Sequence, residues 1–227
     1  MNINRKVIEH KIESERLFGI PYAICYIDSK SYDKRRIVRD IRSNYLKNPV
    51  RNKWEDESNI HHAYNDWDNS EYNTPHYESL VKVYEKIIPD CLDTFKFGNG
   101  YSWDFQIVNY NCMSGGGFMN PHNHPSHDFV GIHYIQFDPR VHIQTEYTNE
   151  HPFASYQNHL RPDLREIMGS SNHPHHSFWG KYWRFPVEEN MFCMTPGFLY
   201  HRVPAQPKSN KLRMAIIVNI NIKKCQN

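Results

Sequence analysis

From about residue 98 to the C-terminus the apolar residues of this chain recur with a strand-like period. YSWDFQIVNYNC, GFMNPHNH, DFVGIHYIQFD, VHIQTEYT, RFPV, MFCMTP and LRMAIIVNINI follow one another, and Gly, Pro, Asn or Ser separates most of them. Several short strands at such spacing predict an all-β sandwich or barrel. The last segment also predicts its own two faces, because side chains alternate along a strand. Met214, Ile216, Val218, Ile220 and Ile222 form one wholly apolar face. Arg213, Ala215, Ile217, Asn219 and Asn221 form the other, a polar face suited to a ligand cavity. Exposure of that arginine and those asparagines to water is the simpler alternative.

Upstream the pattern is different. Residues 1–97 are expected to be mostly helical, with one strand at GIPYAICYID (19–28). Ile37, Ile41 and Tyr45 form one stripe of a helix over 31–48, and Leu80, Val83, Ile87 and Leu92 one stripe of a helix over 75–95. Pro89 is expected to end or kink the second helix. Residues 50–74 are polar and turn-rich and are expected to be loop, and 149–183 is too long for a hairpin connection and reads as a lid. The whole, 1–227, is expected to be one domain: helices over about 1–97 packed on one sheet of a β-core over about 98–227.

Composition narrows the function classes. Lys and Arg total 27 against 25 Asp and Glu, a balance that gives no electrostatic case for nucleic acid. Aromatics are 14% of the chain, enough rings to build a buried core. No apolar run approaches the roughly 20 residues needed to span a bilayer, and the charged N-terminus has no secretory apolar region. Cys25, Cys91, Cys112, Cys193 and Cys225 are scattered and form no Cys-x-x-Cys pair, which argues against a disulfide framework or thiolate zinc and fits a reducing cytoplasm.

The histidines carry the chemistry. Of 15 in the chain, 11 lie between His122 and His201. His122 and His124 stand at i and i+2, which on a strand points both to one side, where they can share a metal. His201 lies far along the chain and Arg213 follows it by twelve residues, the length of strand, turn and next strand. His173, His175 and His176 form a rival cluster read as a solvated loop, His61 and His62 would point apart on a strand, and His127 and His133 flank the candidate strand. Asn109 and Tyr110 are further candidates for the pocket wall.

Three segments carry a resemblance. HNHPSHDFVGIHYI resembles the metal-binding segment of the 2-oxoglutarate/Fe(II)-dependent oxygenases, phage-encoded members included, with Val130–Gly131 where Ser-Gly is usual and Tyr134 at the strand tyrosine. VEENMFCMTPGFLYHRVPAQ resembles their distal-histidine element, with His201 at that position and Thr195 and Gly197 departing from the usual Phe and Ser. KLRMAIIVNINI resembles the strand that carries the arginine for 2-oxoglutarate, here Arg213. The resemblance covers roughly residues 100–222. It implies a mainly β protein with flanking helices, a double-stranded β-helix (jelly roll), holding Fe(II) and using 2-oxoglutarate and dioxygen to hydroxylate a small-molecule or peptidyl substrate.

It also implies roles. His122, His124 and His201 become the metal ligands and catalytic centre, with His124 where a carboxylate is usual. Asp128, or water, remains an alternative third ligand. Arg213 and Tyr134 become the 2-oxoglutarate site, since a guanidinium forks onto a carboxylate with two parallel hydrogen bonds. Phe153, Tyr156, Phe178, Trp179, Tyr182 and Trp183 supply a ring-rich surface to the expected lid. Two rival readings are a cupin-type metalloenzyme, which has no particular need of Arg213, and a non-catalytic jelly-roll binding module.

Overall fold

The computed structural model describes residues 13–17, 20–51, 58–64, 74–96, 100–149 and 182–225. The elements run β1 (Glu13–Leu17), β2 (Ile20–Tyr26), α1 (Lys34–Lys47), β3 (His61–Tyr64), α2 (Glu78–Thr94), β4 (Tyr101–Met113), β5 (Met119–His122), β6 (Phe129–Gln136), β7 (Glu146–Thr148), β8 (Tyr182–Arg184), β9 (Met191–Pro196), β10 (His201–Val203) and β11 (Arg213–Lys224). They form two antiparallel sheets, ordered β1-β2-β9-β6-β11-β4-β3 and β5-β10-β7-β8. From β4 onward the chain crosses repeatedly between them: β4, β6, β9 and β11 lie in the larger sheet, β5, β7, β8 and β10 in the smaller. This alternation is the jelly-roll winding, and it brings residues distant in sequence onto facing walls.

The larger sheet is buried on both faces, by different chemistry. Toward the helices, Met214, Ile216, Val218 and Ile220 of β11 join Phe192 and Met194 of β9 and Ala23 and Cys25 of β2. Ile37 and Ile41 of α1 and Leu80, Val83, Ile87 and Leu92 of α2 cover them. Each such aliphatic side chain removed from water contributes about 1.5–3 kcal/mol. Toward the smaller sheet, Val130, Ile132 and Tyr134 of β6, Cys193 of β9 and Ala215 and Ile217 of β11 pack with Tyr147, Phe185 and Leu199. The two predicted faces of β11 are thus both present, and Arg213 and Asn219 are buried rather than facing water.

Four differences from the sequence expectations have local causes. The helix does not stop at Pro89 but continues to Thr94. Beyond the proline Cys91 and Leu92 are fully buried in the helix-side core, and that packing outweighs one missing backbone hydrogen bond. Within the stretch expected to be loop, His61–Tyr64 pairs with Cys112–Asn109 as an edge strand. Its polarity is internal: the His61 Nδ1–H donates to the Asn48 carbonyl at 2.6 Å, and its Nε2 accepts from the Tyr110 hydroxyl at 3.0 Å. The N-terminal part therefore supplies three strands to the larger sheet besides two helices. Finally, β5 ends at His122, so His124 stands in the loop beyond it. Of the expected lid, 150–181 lies outside the described residues, and Tyr182 and Trp183 are in β8, paired with Thr148 and Tyr147. All five cysteines are free thiols.

Candidate metal centre

The site begins with a strand pairing. β5 and β10 run antiparallel with His122 directly opposite His201. Directly opposed residues share a face, and the two rings lie with centroids 4.4 Å apart. His124 reaches the same place from its loop. Its backbone N–H donates to the Gly197 carbonyl at 2.7 Å, and the Gly197 N–H donates to the Asp128 carbonyl at 2.9 Å. These bonds lay the 124–128 loop against the turn between β9 and β10. The turn has room for it only because residue 197 is glycine: a Cβ there would collide with the His127 carbonyl oxygen and stand 2.7 Å from that of His124. The His124 ring comes to rest parallel to His201, centroids 5.4 Å apart at 9°.

The three imidazoles offer ligand nitrogens that all lie within 4.8 Å of one another. Their tautomers follow from their partners. Nδ1 of His122 faces the Asn120 carbonyl at 2.9 Å, Nδ1 of His201 the Leu199 carbonyl at 3.0 Å, and Nδ1 of His124 the Asn219 side-chain oxygen at 3.0 Å. Each acceptor takes a proton from Nδ1, which makes Nε2 the unprotonated nitrogen of the neutral ring. Burial, with His122 and His124 adding repulsion, holds the His201 pKa well below its usual value; burial, then His122, brings that of His124 down to about 4. Neutral imidazole is the form a metal requires. Nitrogens about 2.1 Å from one ion sit about 3–3.5 Å apart, so small ring rotations suffice. The residues present fit a divalent ion on three protein nitrogens.

Arg213 lies in the same cleft, a narrow one with a cavity volume of about 20 Å³, lined by Asn109, Asn111, Thr145, Ile132, Ile217 and the three histidines among others. Its side chain is 0% exposed. The guanidinium donates to Asn111 Oδ1 at 3.2 Å and to Thr145 Oγ1 at 3.1 Å, and it stands 5.2 Å from the centroid of the Tyr134 ring. Among the described residues its Nε has no hydrogen-bond partner and no carboxylate pairs with it. Burial lowers its pKa. A buried cation without a counter-ion costs several kcal/mol, and an anionic ligand entering the cleft removes that cost.

The other candidate residues separate by position. Tyr134 backs the arginine: its hydroxyl accepts the Thr145 N–H at 3.3 Å, and Thr145 is the hydroxyl that lines the cleft. Asn109 lines the cleft, whereas Tyr110 points to the helix side and bonds His61 and Asn44. Asp128 does not join the histidines; its carboxylate accepts the Ile222 N–H at 2.7 Å. His133 is buried against Tyr84 on the helix side. His127 bonds Asn221 at 3.1 Å, and 173–176 lies outside the described residues. Sequence reasoning missed Asn111 and Thr145. Asn111 was within reach, since it shares the face of Asn109 by strand alternation, but nothing local singles out Thr145.

No family model matches the chain, and no curated protein matches it by sequence. Solved structures do match its shape. A prolyl-4-hydroxylase from Pseudomonas putida aligns with TM-score 0.52 at 8% identity over 96% of this chain and 94% of that one. The non-haem α-ketoglutarate-dependent epimerase SnoN of nogalamycin biosynthesis aligns at 0.54 and 8% identity, covering 93% and 81%. A prolyl hydroxylase from Trichoplax adhaerens, solved with a peptide fragment of hypoxia inducible factor, aligns at 0.51 and 10% identity, covering 88% and 83%. At such identities the likeness is one of fold: the jelly roll here is the one those oxygenases use.

Proposed function

We propose that this protein is a non-haem Fe(II)- and 2-oxoglutarate-dependent dioxygenase that hydroxylates a C–H bond of a small-molecule or peptidyl substrate and converts 2-oxoglutarate to succinate and CO2. One observation carries the reading: a fully buried arginine with no carboxylate partner among the described residues shares a cleft with three imidazoles whose ring nitrogens converge. The fold shared with oxygenases of this class supports it. A cupin-type site would leave the buried charge of Arg213 unexplained.

In this reading His122, His124 and His201 hold the metal on one face and leave its other positions open. Bound Fe(II) supplies the dioxygen chemistry coupled to decarboxylation of the 2-oxo acid. Arg213 receives the distal carboxylate of the dicarboxylate, and Thr145 and Asn111, already on its nitrogens, keep the guanidinium from rotating. Tyr134 supports that pair from behind. Ile132, Val203, Met119 and Ile217 line the rest of the cleft and exclude water from the reacting centre.

The test is succinate release by protein loaded with Fe(II) under anaerobic conditions, then given 2-oxoglutarate and oxygen. A structure with Mn(II) and an unreactive 2-oxoglutarate mimic follows. Metal on the three histidines with the distal carboxylate on Arg213 supports the reading; metal elsewhere, or a carboxylate that avoids Arg213, sinks it.

A further inference from the structure

The three imidazoles are not held alike. His122 and His201 are oriented by backbone carbonyls, those of Asn120 and Leu199, each two residues away on the same chain segment. No side-chain substitution removes those acceptors. His124 takes its Nδ1 partner from a side chain, Asn219, 95 residues away on β11. It is also the ligand candidate that stands in a loop, beyond the end of β5.

β11 makes three successive contacts with that loop. Asn219 accepts from His124 at 3.0 Å, Asn221 accepts from His127 at 3.1 Å, and the Ile222 N–H donates to Asp128 at 2.7 Å. Asn221 is itself pinned, its Nδ2 donating to Asp104 at 3.2 Å. Two of these contacts only tether the loop. The Asn219 contact does more, since its oxygen takes the Nδ1 proton and so leaves the Nε2 lone pair on the cleft side. With the proton on Nε2 instead, the nitrogen on the cleft side could not ligate.

We infer that Asn219 is the positioning residue of the metal centre, selecting the metal-binding tautomer and ring orientation of His124. This rests on the reading of the three histidines as metal ligands. The chemistry of the contact predicts a sign as well as a size. Alanine removes the acceptor. Aspartate keeps an acceptor, cannot donate to Nδ1, and places a negative charge on the imidazole, which makes it a stronger donor to the metal.

The experiment is a Co(II) titration of the full chain, followed by the visible d–d spectrum and by competition with a chelator, for wild type, Asn219→Ala, Asn219→Asp and Asn221→Ala. Thermal melts of the metal-free proteins accompany it. Asn219→Ala is expected to weaken Co(II) binding about 10–100-fold and to alter the spectrum. Asn219→Asp should restore affinity to wild type or above. Asn221→Ala, which loosens the same loop without touching a ligand, should leave affinity within about 3-fold and the spectrum unchanged. Equal losses in Asn219→Ala and Asn221→Ala would overturn the inference in favour of simple loop tethering. So would an Asn219→Asp variant that binds no better than Asn219→Ala while melting like wild type. If Asn219→Ala binds as wild type does, the inference fails while the three-histidine reading stands. If wild type binds no Co(II) at the histidines, both fall.

Discussion

β11 carries two faces through one protein, and they are buried for opposite reasons. On the helix side Met214, Ile216, Val218 and Ile220 are sealed among aliphatic and aromatic side chains. On the other side the same strand contributes Arg213, Asn219 and, between them, Ala215 and Ile217. The first face holds the molecule together by removing apolar area from water. The second works against that, burying a guanidinium and a carboxamide whose partners are a hydroxyl, another amide and an imidazole. The contrast teaches that the apolar face must carry the stability that the costly polar face does not supply.

This division can be broken by substitution. The largest effect is expected at the wall that carries the three histidines: on the proposed function, His201→Ala should reduce Fe(II)-dependent succinate release by roughly 100-fold or more, with urea denaturation of the metal-free protein nearly unchanged. On the opposite face Ile216→Ala should cost about 2–5 kcal/mol of folding stability, read by urea denaturation, and leave the affinity of the remaining folded protein for the 2-oxoglutarate mimic unaltered. Arg213→Met tests the second face against the first. It should weaken binding of the 2-oxoglutarate mimic by about 2–3 kcal/mol, measured calorimetrically. The metal-free protein should be as stable as wild type or more so, because a buried unpaired charge has been replaced by an apolar chain. A large loss of stability would show instead that Arg213 is part of the scaffold.

The smallest effect concerns a histidine on the helix-side face. His133 is fully buried beside Tyr84, and burial, with Lys34 adding to it, lowers its pKa to about 3. It is neutral in the fold, whereas in the unfolded chain it takes a proton near pH 6.5. The unfolded state then binds more protons between those values, so stability is complete above about pH 6.5 and falls as the pH drops toward 3. Its contribution should steepen acid destabilisation by up to about 1.4 kcal/mol per pH unit. Urea midpoints between pH 7.5 and 5 should show that slope in wild type and a shallower one in His133→Gln.

Much of this was legible before folding. Alternation along 213–222 assigned both faces of β11 correctly, and the apolar stripes of both helices are the ones that pack. The pair His122–His124, the distant His201 and Arg213 could be singled out because each chemistry-bearing type stood beside a strand pattern. Other features were hidden because they depend on partners far away. His61–Tyr64 is polar enough to read as loop, yet it pairs with β4, and Tyr110 and the Asn48 carbonyl satisfy His61. Gly197 looked like a departure from a motif, yet the close approach of the 124–127 backbone leaves no room for a Cβ. Asp128 looked like a spare ligand, and a backbone N–H of β11 has claimed it.

Periodicity and residue type are properties of short windows, so the sequence by itself determined the strand and helix faces and the set of residues able to do chemistry. Which of the histidines converge, which nitrogen each one turns inward, and that Arg213 is buried with no carboxylate partner among the described residues were decided only when two sheets closed on each other. Those outcomes depend on contacts spanning about a hundred residues, such as His124 with Asn219 and Arg213 with Asn111, and no local pattern encodes such contacts.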